Sequence, residues 1–309
     1  MNFRSVEDAQ RKLENAKYIA SKEIATVVFL GDATNKPILV EGPAGVGKTE
    51  LAKAVAQALT RDLIRLQCYE GLDESKALYE WEYAKQLLYT QMLKEKIHDI
   101  IDDAQTLNAA VDKIAVQENA FFSEHFIQPR PLLQAISSEE PVVLLIDEVD
   151  KSDPEFEAFL LELLSDFQVS IPELGTIRAR NIPFVVLTSN NYRDMSDTLQ
   201  RRCLHLYIDY PDQEREIKII NIKFPGINER LARKIVNTIR DIRDLDLKKK
   251  PCVSETLDWT RSLMALQVND ISHAVIADTL NVICKNRPDT EKVKTYLNQM
   301  NVTDNDIPQ

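Results

Sequence analysis

Lys48 and Thr49 close the run Gly42-Pro43-Ala44-Gly45-Val46-Gly47-Lys48-Thr49, with Glu50 directly after it. This is the G-x-x-x-x-G-K-[ST] spacing of a loop that wraps phosphates. Glycine lets the backbone curl with its N–H groups pointing inward, and three of the chain's seven glycines stand in these eight residues. Lys48 can bridge terminal phosphates, and the Thr49 hydroxyl can ligate magnesium. An acidic pair, Asp147-Glu148, ends the apolar run VVLLI. There Asp147 can hold magnesium through water, and Glu148 can polarise an attacking water. Asn190 ends a further apolar run, PFVVLTS, where an amide can orient that water against a terminal phosphate; an Asn-Asn pair also suits a simple turn. Paired Arg201 and Arg202 have two readings. They can offset the negative end of a short helix, or reach the nucleotide of a neighbouring subunit.

These residues need elements to hold them. Residues 37–41 are apolar on both faces and predict a buried strand that feeds the loop; residues 49–59 are good helix formers. A helix start then aims its positive dipole end at the same phosphates. Alternation predicts a strand over 62–68, and five apolar residues, 142–146, predict the fully buried strand of a parallel sheet. An amphipathic helix follows at 155–167, a hairpin at 168–171 and 176–179, and a buried strand at 183–188. A short helix at 195–203 and a strand at 204–209 complete the pattern. Ahead of the loop, 5–20 has helical spacing with Ser5 as its cap, and an apolar patch covers 24–30. Between residues 68 and 142 the chain is long for an αβ crossover, so 74–120 reads as an inserted, charged helical arm, with RPLLQAI starting another helix. From 211 the character is all-helical: 212–223, 228–243, 254–266, 268–286 and 289–299, then a frayed NVTDNDIPQ.

Composition narrows the possibilities. A formal charge of −11, with the acidic excess in the first 210 residues, speaks against a basic nucleic-acid surface. No run approaches the ~20 apolar residues of a membrane helix, and the charged N-terminus has no signal-peptide core. Cys68, Cys203, Cys252 and Cys284 are isolated, which suits a reducing cytoplasm and neither zinc nor a disulfide framework. The four histidines show no metal-ligand spacing, and Trp81 and Trp259 read as packing anchors.

Together the motifs GPAGVGKTELAKAVA, LIDEVDKSDPEFEAFLLELLSDFQVSIPELGTI, VVLTSNN, LQRRCLHLYIDYPD and SETLDWTRSL resemble the MoxR-like branch of the AAA+ ATPases, over nearly the whole chain. The hairpin between the acidic strand and the next one carries the branch resemblance. It implies an α/β fold: an αβα sandwich with a five-stranded parallel sheet in the order 5-1-4-3-2, over residues 1–210, and a helical lid over 211–309. It also implies ATP with Mg2+ at the subunit boundaries of a homo-oligomeric ring, usually a hexamer. By position, Gly42 to Thr49 matches Walker A, Asp147-Glu148 Walker B, Asn190 sensor 1, and Arg202 the arginine finger, with Arg201 its rival. In many relatives the lid arginine, sensor 2, opens the third lid helix, where this chain has Ser254-Glu255; Arg261, about two turns on, is the candidate. Relatives of this branch mature or remodel protein complexes, often beside a von Willebrand factor A domain protein, and one group serves carbon monoxide dehydrogenase. Two other functions remain in competition: a nucleic-acid motor or loader, and a nucleotide-gated scaffold with little turnover.

Overall fold

The computed structural model describes residues 2–92, 106, 124–172, 174–268 and 270–305. Strands β1 (Ile38–Glu41), β2 (Leu63–Gln67), β3 (Tyr79–Trp81), β4 (Ile127–Pro129), β5 (Val143–Asp147), β6 (Gln168–Ile171), β7 (Gly175–Arg178), β8 (Phe184–Ser189) and β9 (Leu204–Tyr207) form three sheets. The large sheet has the order β2-β5-β8-β1-β9. Counting only its own strands along the chain, that is 5-1-4-3-2 read from the other edge, as expected. β2 pairs parallel with β5, Gln67 opposite Asp147, and β5 pairs parallel with β8, Ile146 opposite Leu187. Every residue of β5 and β8 is buried, whereas edge strand β2 buries only Leu66. Continuous apolar runs belong at the middle of a parallel sheet covered on both faces, and alternating ones at its edge.

The chain divides into two compact units. One comprises residues 30–39 and 60–204. Its core gathers Leu144 and Ile146 of β5 with Leu132 and Ile136 of the helix Pro131–Ser137 and Leu160 and Leu163 of the helix Pro154–Asp166. The other comprises residues 1–29, 40–59 and 205–309, so the loop at 42–47 and the C-terminal helices share it. Those helices, Gln213–Lys223, Glu229–Asp244, Val253–Ala265, His273–Ile283 and Arg287–Asn305, bury Ile220, Ile235, Ile239, Trp259 and Leu263 completely. Trp259 is the packing anchor expected of it, and its indole N–H donates to Thr279 at 2.8 Å. Asp212, Asn228 and Ser272 cap three of the helices with side-chain oxygens, as Ser5 caps Val6–Asn15.

Three expectations change. The helical reading of residues 74–92 is interrupted: between the helices Glu74–Ala77 and Tyr83–Met92 lies β3, antiparallel to β4. Tyr79 and Trp81 are strand formers, but their partner lies far along the chain, where no local period reveals it. The rest of the expected arm, up to residue 120, lies outside the described residues. The helix expected from 268 starts at His273, where the Ser272 hydroxyl accepts from the Val275 N–H. Of the C-terminal run expected to fray, residues 301–305 continue the helix Arg287–Asn305, where neither glycine nor proline interrupts it, and 306–309 lie outside the described residues. No helix among the described residues is long and apolar enough to cross a membrane.

Candidate functional site

In the unit that carries it, the glycine-rich loop leaves β1 and opens directly into the helix Lys48–Leu59. The helix starts at the loop, so the positive end of its dipole faces the loop. Two glycines are demanded by the space. A Cβ on Gly42 (φ +144°) would lie 2.0 Å from the Ile208 carbonyl oxygen. On Gly45 (φ +74°) it would lie 2.0 Å from Cys252 Sγ, at the cap of the helix Val253–Ala265. Lys48 is buried, and its ammonium donates to the carbonyls of Gly42 and Pro43, 2.7 Å each. Beside the loop is a cavity of about 270 Å3, lined by Tyr18, Gly45, Val46, Glu50, Arg215 and Arg261 among others. Burial pushes the Tyr18 phenol up to about 12. Arg215 donates to the Ile19 carbonyl at 2.9 and 3.1 Å, and Lys223 pairs with Glu50 at 2.6 Å. Burial raises the Glu50 pKa, but Lys223 and Lys53 outweigh it, leaving the carboxyl below its ordinary value. Arg261 thus lies at the loop's cavity, over the Phe224 ring at 5.9 Å and 3.3 Å from Asp258.

The other unit holds the carboxylates. Asp147 ends β5 and is 2% exposed. Its Oδ1 accepts from the Thr188 hydroxyl at 2.5 Å, and its Oδ2 pairs with Arg65 at 2.6 Å. Glu148 follows in the left-handed region (φ +56°), a conformation that costs a residue with a Cβ about 1 kcal/mol or more and gathers at functional sites. Its N–H donates to the same Thr188 hydroxyl at 2.9 Å. Its carboxylate accepts from Asn190 Nδ2 (3.1 Å), Gln67 Nε2 (2.9 Å) and Lys151 Nζ (2.6 Å). The bond to Glu148 raises the Lys151 pKa. Asp150, buried behind them, accepts the backbone N–H groups of Asn190 at 3.0 Å and Tyr192 at 2.8 Å, fixing the loop that carries the amide. Burial and the Asp147 charge push the Cys68 thiol up to about 12.

Asp147, Glu148 and Asn190 are therefore brought together. Arg202 turns its donors to the Ser165 hydroxyl and to the Thr198 carbonyl at 3.2 Å, as a helix-end arginine does, and Arg201 is exposed. Sequence reading passed over Arg65, Gln67, Thr188 and Lys151. The available signal was period two: Arg65 and Gln67 share one face of β2, and a strand ending in carboxylates runs beside it. Among the described residues no group of three or more His, Cys, Asp or Glu side chains could hold a metal. A magnesium held by one carboxylate, one hydroxyl and phosphates needs none.

A phosphate loop at the end of one parallel strand and an acidic pair at the end of another define the P-loop class of nucleotide-binding proteins. Residues 38–210 match the family described as the ATPase family associated with various cellular activities (AAA), and the chain belongs to that family. It is similar to the chaperone protein ClpB of Mycoplasmoides gallisepticum, 28% identical over 203 residues, covering 60% of this chain and 23% of ClpB. It is also similar to the gas vesicle ATPase GvpN of Haloferax mediterranei, 25% identical over 218 residues, covering 68% of this chain and 57% of GvpN. The chain thus spans less than two thirds of either relative. Among solved structures, a point mutant of RuvB from Thermotoga maritima aligns with 91% of this chain and 73% of its own at 16% identity, TM-score 0.48.

Proposed function

We propose that the chain is a Mg-ATP hydrolase of the MoxR-like branch, assembled as a ring, that remodels or matures a protein complex. The observation that supports the reading is Glu148, whose carboxylate after β5 accepts from Gln67, Asn190 and Lys151; in this reading it takes a proton from the attacking water. Gly42 to Thr49 and Glu50 form the phosphate cradle, with Lys48 as the cation on the terminal phosphates and Arg261 as the lid arginine. Asn190 orients the water. Asp147 and Thr49 offer magnesium the hard oxygen donors it prefers, and the ion would supply charge for the departing phosphate. Arg202 of a neighbour, with Arg201 as its rival, supplies the remaining positive charge in a hexamer-like ring. In this reading residues 1–210 are the catalytic core and 211–309 the lid, the setting is cytoplasmic, and the client is a protein complex of the kind served by carbon monoxide dehydrogenase accessory ATPases, with a von Willebrand factor A domain partner.

Glu148→Gln tests it. A fluorescent ATP analogue should bind as it does to wild type, while phosphate release falls by roughly 10²–10⁴, the usual contribution of a general base. Turnover retained in this variant would overturn the assignment. The same protein, loaded with ATP, should trap the client in a pull-down.

A further inference from the structure

Resting on that reading, we propose that Arg65 is a positioning residue that sets how tightly Asp147 engages magnesium. β2 and β5 pair in register with Gln67 opposite Asp147 and Arg65 opposite Leu145. Side chains two apart on a strand share a face, so Arg65 stands diagonally across from Asp147. Only a long side chain spans that diagonal, and the guanidinium does so, reaching Asp147 Oδ2 at 2.6 Å. The two partners are unequal. Asp147 is buried, while the Arg65 side chain is 48% exposed, so water solvates the arginine when it withdraws.

The chemistry follows from charge. Asp147 is the carboxylate proposed for the metal; Arg65 sets a positive charge against its Oδ2 while Thr188 donates to its Oδ1, and that charge repels a dication approaching the carboxylate. Arg65 therefore weakens magnesium at this carboxylate and keeps it exchangeable. The guanidinium also donates to Gln67 Oε1, and the Gln67 amide N–H donates to Glu148 Oε2. Arg65 thus fixes which end of the Gln67 amide meets Glu148. One side chain couples the metal carboxylate to the carboxylate assigned to water.

The full chain, with saturating ADP, is titrated with Mn2+ while free Mn2+ is read by electron paramagnetic resonance. Arg65→Met and Arg65→Gln should bind Mn2+ roughly three- to tenfold more tightly than wild type, a partial effect because the arginine is half exposed, and Arg65→Lys should stay near wild type. In an Asp147→Asn background, Arg65→Gln should make no difference. Equal or weaker Mn2+ binding by both neutral variants, with their thermal unfolding unchanged, overturns the proposal. Loss of folding in Arg65→Met leaves the polar Arg65→Gln to decide. If wild type with ADP takes up no Mn2+ at all, the magnesium reading itself falls and this proposal with it.

Discussion

Thr188 gives a single hydroxyl two roles, donor to Asp147 and acceptor from the Glu148 N–H, in a position 1% exposed. Thr188→Val keeps the shape and removes both bonds. It should lower stability by about 1–3 kcal/mol in urea denaturation, the range for stranding a buried polar group, and slow ATP turnover; Thr188→Ser should restore most of both. Cys68 behaves differently. The thiolate is the reactive form, and with the thiol near 12 it is scarce at neutral pH, so Cys68 should resist thiol reagents until the protein is denatured. At this scale the glycine loop, Asp147, Glu148 and Asn190 were legible because their spacing along the chain is itself the signal. Thr188 and Arg65 were not. Each looks like an ordinary strand residue, and what distinguishes it is a neighbour on another strand, which only the pairing register reveals.

Between elements, the C-terminal helices carry a buried ion pair. Arg243 of Glu229–Asp244 makes two 2.7 Å bonds to Glu216 of Gln213–Lys223, and Thr256 of Val253–Ala265 joins them at 2.8 Å. Removing one partner strands a charge in the core, so Arg243→Met should cost about 3–5 kcal/mol in urea unfolding; replacing Glu216 by Met as well should recover much of it. The Glu50–Lys223 pair joins the helix that follows the phosphate loop to the first C-terminal helix. Because the Glu50 carboxyl is depressed in the folded state, its contribution is present above the ordinary carboxylate value and is lost as pH falls through the folded one. Lys223→Met should therefore flatten the acid limb of the stability profile, measured as melting temperature from pH 6 to 3. Helix periods and caps made these elements readable in sequence. The β3–β4 ribbon was unreadable because its strands are three residues each and paired across a long insertion.

For the whole molecule, the proposed neighbour arginine makes turnover a property of the assembly. Phosphate release per subunit should rise with protein concentration in step with oligomer formation followed by sedimentation, and Arg202→Ala should abolish the rise. An isolated subunit turning over at the same rate at all concentrations would remove the in-trans arginine. The order of the large sheet was expected from the family resemblance alone, and the sharing of one compact unit by the phosphate loop and the C-terminal helices was not expected at all, since no local pattern links residues so far apart in sequence. The close approach of Gly45 to Cys252 also bears on the life of the chain at the ribosome. The loop emerges early, but the surface that it packs against is made much later, roughly 10–40 s on at ordinary rates of synthesis. Until Cys252 has been added and its helix has folded, the nascent chain carries the complete phosphate-binding motif without the side chain that leaves no room for a Cβ at Gly45.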